Sequence, residues 1–306
     1  MRKTLCIVVA LASLTTICTA QTITQNFGTG ANSFSMDFVR IGEAGNAPTV
    51  MGSVQWGAVG YVFNLGKYEV SREMIEKANA SAGLSITLND MSRWGGNGAN
   101  TPATGVSWYE AASFVNYLNT STGFNLAYKF NSSGVFERWS PTDLGYNSNN
   151  LLRNSMAKFY LPSVDEWFKG AYGSPSGTWF NYATGSDSTP TAVSGGTDPN
   201  TIVFGGQASP AEITNAGGLS AYGTMAQGGN VWEWIENENP NNGNYIQGGG
   251  FRDGIGIISS TMNFSEASPV SESNYWGFRV ASVPEPSSFS LLALGGVVVA
   301  LRRRKK

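Results

Sequence analysis

The sequence predicts a loop-rich α+β domain with short helices, and three observations lead to that fold class. Two Ser-x-x-Glu sequences, 107–110 and 163–166, are typical of capping boxes that begin helices. Apolar and polar residues alternate over 34–42, as in a half-buried strand. The chain also contains 38 glycines, 9 tryptophans, 12 tyrosines and 16 phenylalanines, a composition that favours long loops fixed by buried rings.

Two strands and a short helix are expected first along the chain. The strand at 34–42 is followed by a second at 60–70. Ser71 then occupies an N-cap position, and apolar residues follow at helical spacing. Residues 72–80 are therefore predicted to form a helix, and 97–103 a loop.

Two further helices begin at the capping boxes. The first extends to about Asn119 and carries one apolar face, formed by Ala111, Phe114, Val115 and Leu118. The second is followed by Gly173, a residue type that ends helices. Residues 174–226 are rich in Gly, Ser, Thr and Pro. So long an irregular segment is either a functional loop region or a segment packed by its own side chains.

The first 20 residues have the three-part layout of a secretory signal peptide. Arg2 and Lys3 precede an apolar run over 5–14, and small residues end at Ala20. A membrane anchor is the alternative, but the run is shorter than the ~20 residues that span a bilayer. Export and cleavage before Gln21 are therefore expected.

Residues 283–306 have the layout of a sorting tail. It contains a Pro-Glu-Pro sequence, a short apolar stretch at 289–301 that is a candidate transmembrane segment, and a basic end: Pro284, Glu285, Pro286, Arg302, Arg303, Arg304, Lys305 and Lys306. Cations after an apolar stretch are held on the cytoplasmic side of a membrane. An ordinary C-terminal anchor is the alternative.

The three parts, in this order, resemble the PEP-CTERM sorting tail of Gram-negative bacteria. The resemblance implies transient anchoring in the inner membrane and recognition by an exosortase. It further implies removal of the tail and release to the cell surface or an extracellular polysaccharide matrix.

The body between these two terminal signals is acidic. The chain has 19 basic and 21 acidic residues, and the signals contain seven of the basic residues and one of the acidic ones. The body therefore has 12 basic against 20 acidic residues. Nucleic-acid binding requires a basic patch, so that class of partner is excluded.

The available side-chain chemistry is narrow. Cys6 and Cys18 both lie in the predicted signal peptide, and the sequence has no histidine. The mature body therefore has no disulfide, thiolate nucleophile, Cys/His zinc site or Ser-His-Asp triad. Carboxylate, tyrosine, lysine, arginine and backbone groups remain.

Six motifs occur in the order typical of one family. They are GKYEVS (66–71), GVSWYEAASFVNYLN (105–119), YLPSVDEWFKGA (160–171), GGNVWEW (228–234), IQGGGFRDG (246–254) and YWGFRVA (275–281). Together they resemble the sulfatase-modifying-factor family, the formylglycine-generating enzymes and their relatives. The resemblance implies one domain over 26–282 with a C-type-lectin-like fold, loop-rich with short helices and antiparallel strands.

The activity of that family does not follow from the fold. In formylglycine-generating enzymes two cysteines near the C-terminus bind copper and oxidise a substrate cysteine. The corresponding region here offers Ser259, Ser260, Thr261 and Met262. Copper is not expected without thiolates, and the iron-dependent branch of the family, which uses histidine ligands, is excluded as well.

The resemblance also implies structural calcium at the GGNVWEW motif. Glu233 would supply a carboxylate, beside the backbone carbonyls of Gly229 and Val231. The sequence departs from the family at Ala226, where the family usually has Asn or Asp, so one expected ligand is missing.

A protein partner for Glu233 is the alternative to calcium. Its carboxylate would then pair with Arg252 or Arg279, while Trp232 and Trp234 pack on opposite faces of a strand. The sequence leaves both interpretations open.

Several other candidate sites have simpler interpretations. Asp165 and Glu166 could form a glycosidase-like pair, but adjacent carboxylates at a helix N-terminus are usually capping residues. GGQ at 205–207 and GGG at 248–250 lack the Lys-Ser/Thr of phosphate loops. Three tryptophans could stack on sugar rings, although single tryptophans more often belong to the core or its rim: Trp56, Trp94 and Trp179.

The sequence thus favours an exported, non-catalytic member of the family that binds an exopolysaccharide or another extracellular protein. Two alternatives remain. One is an active formylglycine-generating enzyme with an unrecognised residue set, and the other is a purely structural matrix component.

Overall fold

The computed structural model describes residues 22–51, 54–238, 243–261 and 264–284. The predicted signal peptide, the stretch at 289–301 and much of the sorting motif lie outside the described residues, including Glu285, Pro286, Arg302, Arg303 and Arg304. Within the described ranges, no helix is long and apolar enough to cross a membrane.

Short strands dominate the regular structure, and three helices interrupt them. The helices are α1 Arg72–Ala82, α2 Trp108–Ser121 and α3 Val164–Tyr172. The strands are β1 Thr22–Phe27, β2 Phe34–Ile41, β3 Thr49–Met51, β4 Val54–Trp56, β5 Phe63–Gly66, β6 Lys129–Phe130, β7 Phe136–Glu137, β8 Phe159–Tyr160, β9 Thr191–Ala192, β10 Thr201–Ile202, β11 Trp232–Glu238, β12 Asn244–Gln247, β13 Phe264–Ala267, β14 Trp276–Phe278 and β15 Ala281–Ser282.

The main sheet has the strand order β1-β2-β5-β15-β8, with every pair antiparallel. The predicted strand at 34–42 is confirmed as β2. The strand predicted at 60–70 is much shorter, because the chain leaves the sheet after Gly66. Beyond that point the backbone amides of Lys67 and Val70 donate to the carbonyls of Asp37 and Phe278, which belong to different parts of the fold.

A second sheet has the order β13-β12-β11-β14. Strand β14 joins β11 in parallel, an exception to the expected antiparallel pairing, whereas β12 pairs antiparallel with both β11 and β13. This sheet carries the GGNVWEW and YWGFRVA motifs side by side, and Glu233 lies opposite Gly277 in the register.

All three predicted helices are present, and both capping boxes form. The hydroxyls of Ser107 and Ser163 each accept from the amide three residues on, and the glutamates return to the capping amides. Ser71 caps α1 through the amide of Met74. Local hydrogen bonds therefore set these helix starts, as the sequence predicted.

The main core lies between α2 and the five-stranded sheet. The apolar face predicted on α2 is buried, from Ala111 to Leu118. The irregular segment 174–226 is packed by its own side chains, since Val203, Ala211, Ala216 and Met225 are buried together. This packing agrees with the second of the two alternatives that the sequence left for this segment.

Gly170 in α3 gives a direct test of the packing between this helix and the main sheet. A Cβ atom there would lie 2.4 Å from Leu65 Cδ2 and 3.2 Å from Gln227 Oε1. Gly170→Ala should therefore overpack this contact and lower the free energy of unfolding by about 1–3 kcal/mol, although alanine favours helices. The thermal unfolding midpoint should fall accordingly. A Leu65→Ala background should tolerate the same change. Equal destabilisation in both backgrounds would contradict the close approach.

Candidate functional site

Glu233, at the centre of the GGNVWEW motif, is fully buried and bound to protein partners. The Arg279 guanidinium engages both carboxylate oxygens, with Nε 2.6 Å from Oε2 and Nη2 2.5 Å from Oε1. The Trp167 indole nitrogen donates to Oε2 at 2.7 Å. Of the two arginines considered for Glu233, Arg279 is the one that binds it.

Arg279 is itself saturated with acceptors. Besides the carboxylate, Nη1 donates to the carbonyls of Gly66 and Lys67 at 2.9 and 3.4 Å, and Nη2 donates to the Met225 carbonyl at 2.8 Å. A guanidinium has five N–H groups, and five acceptors surround this one. The pair therefore joins β11 to the end of β5 and to the loop before the motif.

Trp232 and Trp234 lie on the same face of β11, and the expectation that they occupy opposite faces was wrong. Both pack with the main core, and Trp234 also contacts the ring of Trp276. Alternate residues of a strand share a face, so Glu233 points to the other side, as does Ile235, which packs in the same cluster as Trp167. There Glu233 meets Trp167 and Arg279.

A second buried carboxylate, that of Glu69, supports the same motif. Its Oε2 accepts from Asn230 Nδ2 at 2.6 Å, and its Oε1 accepts from the Val231 amide at 3.3 Å. Burial, followed by repulsion from Glu233, raises the pKa of Glu69 well above its usual value, despite the attraction of Arg279. The GKYEVS motif contained Glu69, but its spacing gave no indication of this partnership.

The groups around Glu233 do not fit a calcium ion on this carboxylate. Calcium requires six to eight oxygen ligands, whereas a guanidinium and an indole already occupy both oxygens of Glu233. The amide of Val231 faces Glu69, and Gly229 lies against the Val203 carbonyl with φ +135°. The described residues contain no cluster of three metal-ligating side chains.

The segment that follows the GGGFRDG motif presents hydroxyl groups. Ser259 Oγ donates to the Gly256 carbonyl, while Ser260 is buried and its hydroxyl has no hydrogen bond within the described structure. Met262 lies outside the described residues. Arg252 stacks on Trp94, with Cζ 4.3 Å from the ring centroid.

A separate, open cavity of about 840 Å³ lies beside the C-terminal end of β11 and beside Val283, near the end of the described residues. Its walls come from Tyr61, the loop 147–155, the end of β11 and Val283. The volume is in the range of small-molecule sites, roughly 300–1,000 Å³. Asparagines line much of it: Asn147, Asn149, Asn150, Asn154 and Asn237.

Arg153 lies on the floor of this cavity between two buried glutamates. Its Nη2 is 2.7 Å from Glu236 Oε2 and 3.2 Å from Glu166 Oε2. Its guanidinium stacks on Tyr160, with Cζ 3.7 Å from the ring centroid. Asn150 Nδ2 donates to Glu236 Oε2 at 2.7 Å, so the floor is held rigidly.

The two glutamates respond differently to this environment. Burial raises the pKa of Glu236 despite the attraction of Arg153. Burial also acts to raise the pKa of Glu166, but the attraction of Arg153 and the Ser163 amide outweigh it, so that pKa is lowered. Burial opposes the charge of Arg153, yet the two carboxylates raise its pKa well above the ordinary value.

Sequence reasoning missed this cavity, although it named some neighbouring groups. Glu166 forms the capping box and pairs with Arg153, while Asp165 accepts from the Gly57 amide at 2.7 Å. The capping interpretation is therefore confirmed for Glu166, whereas Asp165 lies in the first turn of α3 and binds the backbone of a distant segment. The three tryptophans considered for sugar stacking are half-buried in ring clusters: Trp56 and Trp179 contact Phe168, and Trp94 contacts Phe251 and Tyr275.

Comparison with known families accounts for the motifs and the tail. Residues 49–283 match the sulfatase-modifying factor enzyme 1-like domain. Residues 282–305 match the PEP-CTERM protein-sorting motif, which indicates an exported, cell-surface protein that an exosortase processes. No curated protein matches the chain.

Solved structures support the fold class. A crystal structure of CarF is similar with a TM-score of 0.57 and 19% identity, over 82% of this chain and 99% of that one. Treponema denticola variable protein 1 is similar with a TM-score of 0.56 and 17% identity, over 86% of this chain and 99% of that one. The predicted family fold, mixed α and β with many loops, is confirmed.

The Glu233–Arg279 pair can be tested by a double-variant cycle. Arg279→Met leaves a carboxylate buried without its cation and should lower the free energy of unfolding by about 3–5 kcal/mol. Adding Glu233→Gln should recover part of that loss, because the uncompensated charge is removed. Urea unfolding followed by tryptophan fluorescence measures both effects. No recovery in the double variant would contradict the assigned coupling.

The raised pKa of Glu69 predicts a pH dependence of stability. The unfolded chain releases this proton near its ordinary pKa of 4.5, whereas the folded chain retains it. The contribution of the Glu69 proton to the free energy of unfolding is therefore fully present below that pH. Above it, the contribution falls by about 1.4 kcal/mol per pH unit until Glu69 ionises in the folded state. Glu69→Gln cannot ionise. The free energy of unfolding of this variant minus that of the wild type should increase from about pH 5 to about pH 8, and a constant difference would contradict the assignment.

Calcium titration tests the ion that the family resemblance implied. Because both oxygens of Glu233 are engaged, we expect the unfolding temperature to be unchanged when calcium is added after chelation. Binding to the folded state alone would raise it by mass action. A calcium-dependent rise that disappears in Glu233→Gln would show instead that Arg279 yields the carboxylate to the ion.

Proposed function

The chain belongs to the sulfatase-modifying factor enzyme 1-like family, and from that membership we propose that it is a non-catalytic member. Its role is to bind an extracellular ligand, an exopolysaccharide or another protein, at the cell surface or in the surrounding matrix. The observation that carries this proposal is that the only cysteines are Cys6 and Cys18, ahead of the family domain, and that histidine is absent.

The groups that remain do not replace the missing thiolates. Copper in a redox site of this type prefers soft sulfur ligands, whereas Ser259, Ser260 and Thr261 offer hard hydroxyl oxygens. The carboxylates of the central motifs are also closed to a substrate. Glu233 and Glu69 are buried and hydrogen-bonded to protein groups.

A binding role agrees with the tail and the surface. The PEP-CTERM motif indicates an exported, cell-surface protein. The cavity above Arg153 supplies a concave surface with both polar and apolar groups, large enough for a ligand, at a site that holds none of the family's catalytic motif positions discussed above.

The proposal predicts that the purified protein, supplied with copper, will not convert the cysteine of a sulfatase-derived peptide into formylglycine. Mass spectrometry of the peptide measures the conversion, and an active formylglycine-generating enzyme is the positive control. Detection of formylglycine above a copper-only blank would favour the alternative of an active enzyme with an unrecognised residue set.

Binding separates the proposal from a purely structural role. The protein should bind saturably to the polysaccharide or protein fraction of the matrix in which it is displayed. Sedimentation with each fraction gives the binding curve. Linear, unsaturable uptake by both fractions would favour a structural component without a defined ligand.

A further inference from the structure

We infer that the cavity above Arg153 is a binding site for uncharged sugar residues of a polysaccharide. This inference rests on the proposed binding function and assigns its ligand class. It follows from three properties of the cavity walls: paired charges, amide donors without partners among the described residues, and an exposed ring.

The charges in the cavity are already paired within the protein. Arg153 contacts Glu236 and Glu166, and Arg138 contacts Glu238 with Nη2 2.5 Å from Oε2. An anionic ligand would therefore find no unpaired cation among the described residues of the walls. Three carboxylates share only two arginines at this site, so the site has a net negative charge that repels acidic sugars.

The amide groups on the walls offer donors that the described residues do not use. Asn147 Oδ1 accepts from the Asn149 amide, and Asn237 Oδ1 accepts from the Val164 amide at 2.7 Å. The Nδ2 atoms of Asn147 and Asn237 make no hydrogen bond to the described residues. Each of these side chains is thus oriented by its oxygen and presents its N–H groups for a ligand.

Tyr61 adds an apolar surface to these polar groups. Its hydroxyl is fixed by a 2.8 Å hydrogen bond to Glu166 Oε1, while 49% of the residue is exposed. An aromatic ring with one fixed end can pack against the C–H face of a pyranose. Sugar hydroxyls both donate and accept, so they match amide N–H groups and the carboxylate oxygens around the floor.

The geometry also favours a polymer over a small free sugar. The cavity is partly open to solvent, and its walls include Tyr61, residues of the loop 147–155 and Val283. A chain of sugar units can place a few of them in such an open cavity while the neighbouring units stay in solvent. The ligand class is therefore a neutral polysaccharide, contacted over a few residues.

Affinity electrophoresis of the exported protein, recovered with its native termini, tests this inference. Gels contain either a neutral polysaccharide, dextran or galactomannan, or the anionic polysaccharide alginate. We expect retardation by at least one neutral polymer and none by alginate. Retardation by alginate alone would overturn the inference.

Three variants locate the binding. Asn147→Asp and Asn237→Asp keep an oxygen that can orient each side chain, remove its N–H donors and add one negative charge, for which a control is given below. Each should weaken binding of the neutral polymer about 5- to 10-fold, the value of one hydrogen bond. Tyr61→Ala should weaken binding by a similar factor, whereas Tyr61→Phe, which keeps the ring, should bind nearly as the wild type.

Asn215→Asp is the matched control, because Asn215 is exposed, lies outside the cavity walls and acquires the same charge. It should bind as the wild type, and thermal unfolding checks that every variant is folded. If the cavity variants bind a neutral polymer as well as the wild type does, the assigned site is wrong while the binding function stands. If the wild type binds none of the polymers, the inference fails, and the matrix-fraction assay then decides the proposed function separately.

Discussion

The buried contact between Glu233 and Arg279 is the interaction on which the rest of the structure depends. It joins the second sheet to the end of β5 and to the loop at Met225, three segments that share no continuous ladder. Two charges removed from water are stable only when every donor and acceptor is satisfied, and this pair satisfies that condition. Four of the family motifs meet at this one contact, since Trp167 and the carbonyls of Gly66 and Lys67 bind the pair as well.

Local structure could be predicted from the sequence because its causes are local. The capping serines and the apolar face of α2 lie within a few residues of the helices that they define. The choice of Arg279 over Arg252 for Glu233 could not be predicted in this way. It depends on β14 lying parallel to β11, a pairing between segments about forty residues apart that no periodicity reveals.

The cavity escaped prediction for the same physical reason. Arg153, Glu166 and Glu236 come from a loop, a helix and a strand, and each has an unremarkable sequence context. Only the folded chain brings them within hydrogen-bonding distance. By contrast, the motifs that identify the family consist of residues that form its shared fold. They therefore predicted the fold, but they gave almost no indication of the candidate site of this particular chain.

Val283 forms part of the cavity wall and lies at the start of the sorting motif, directly before Pro284. Five residues, 284–288, separate it from the apolar stretch, and five extended residues reach at most ~18 Å. A tethered domain would thus hold the mouth of its groove within a short distance of the lipid headgroups. Long polymers could then approach only from the side. Cutting the tether would remove this restriction, so that removal of the tail would also change the directions from which a large ligand can reach the cavity.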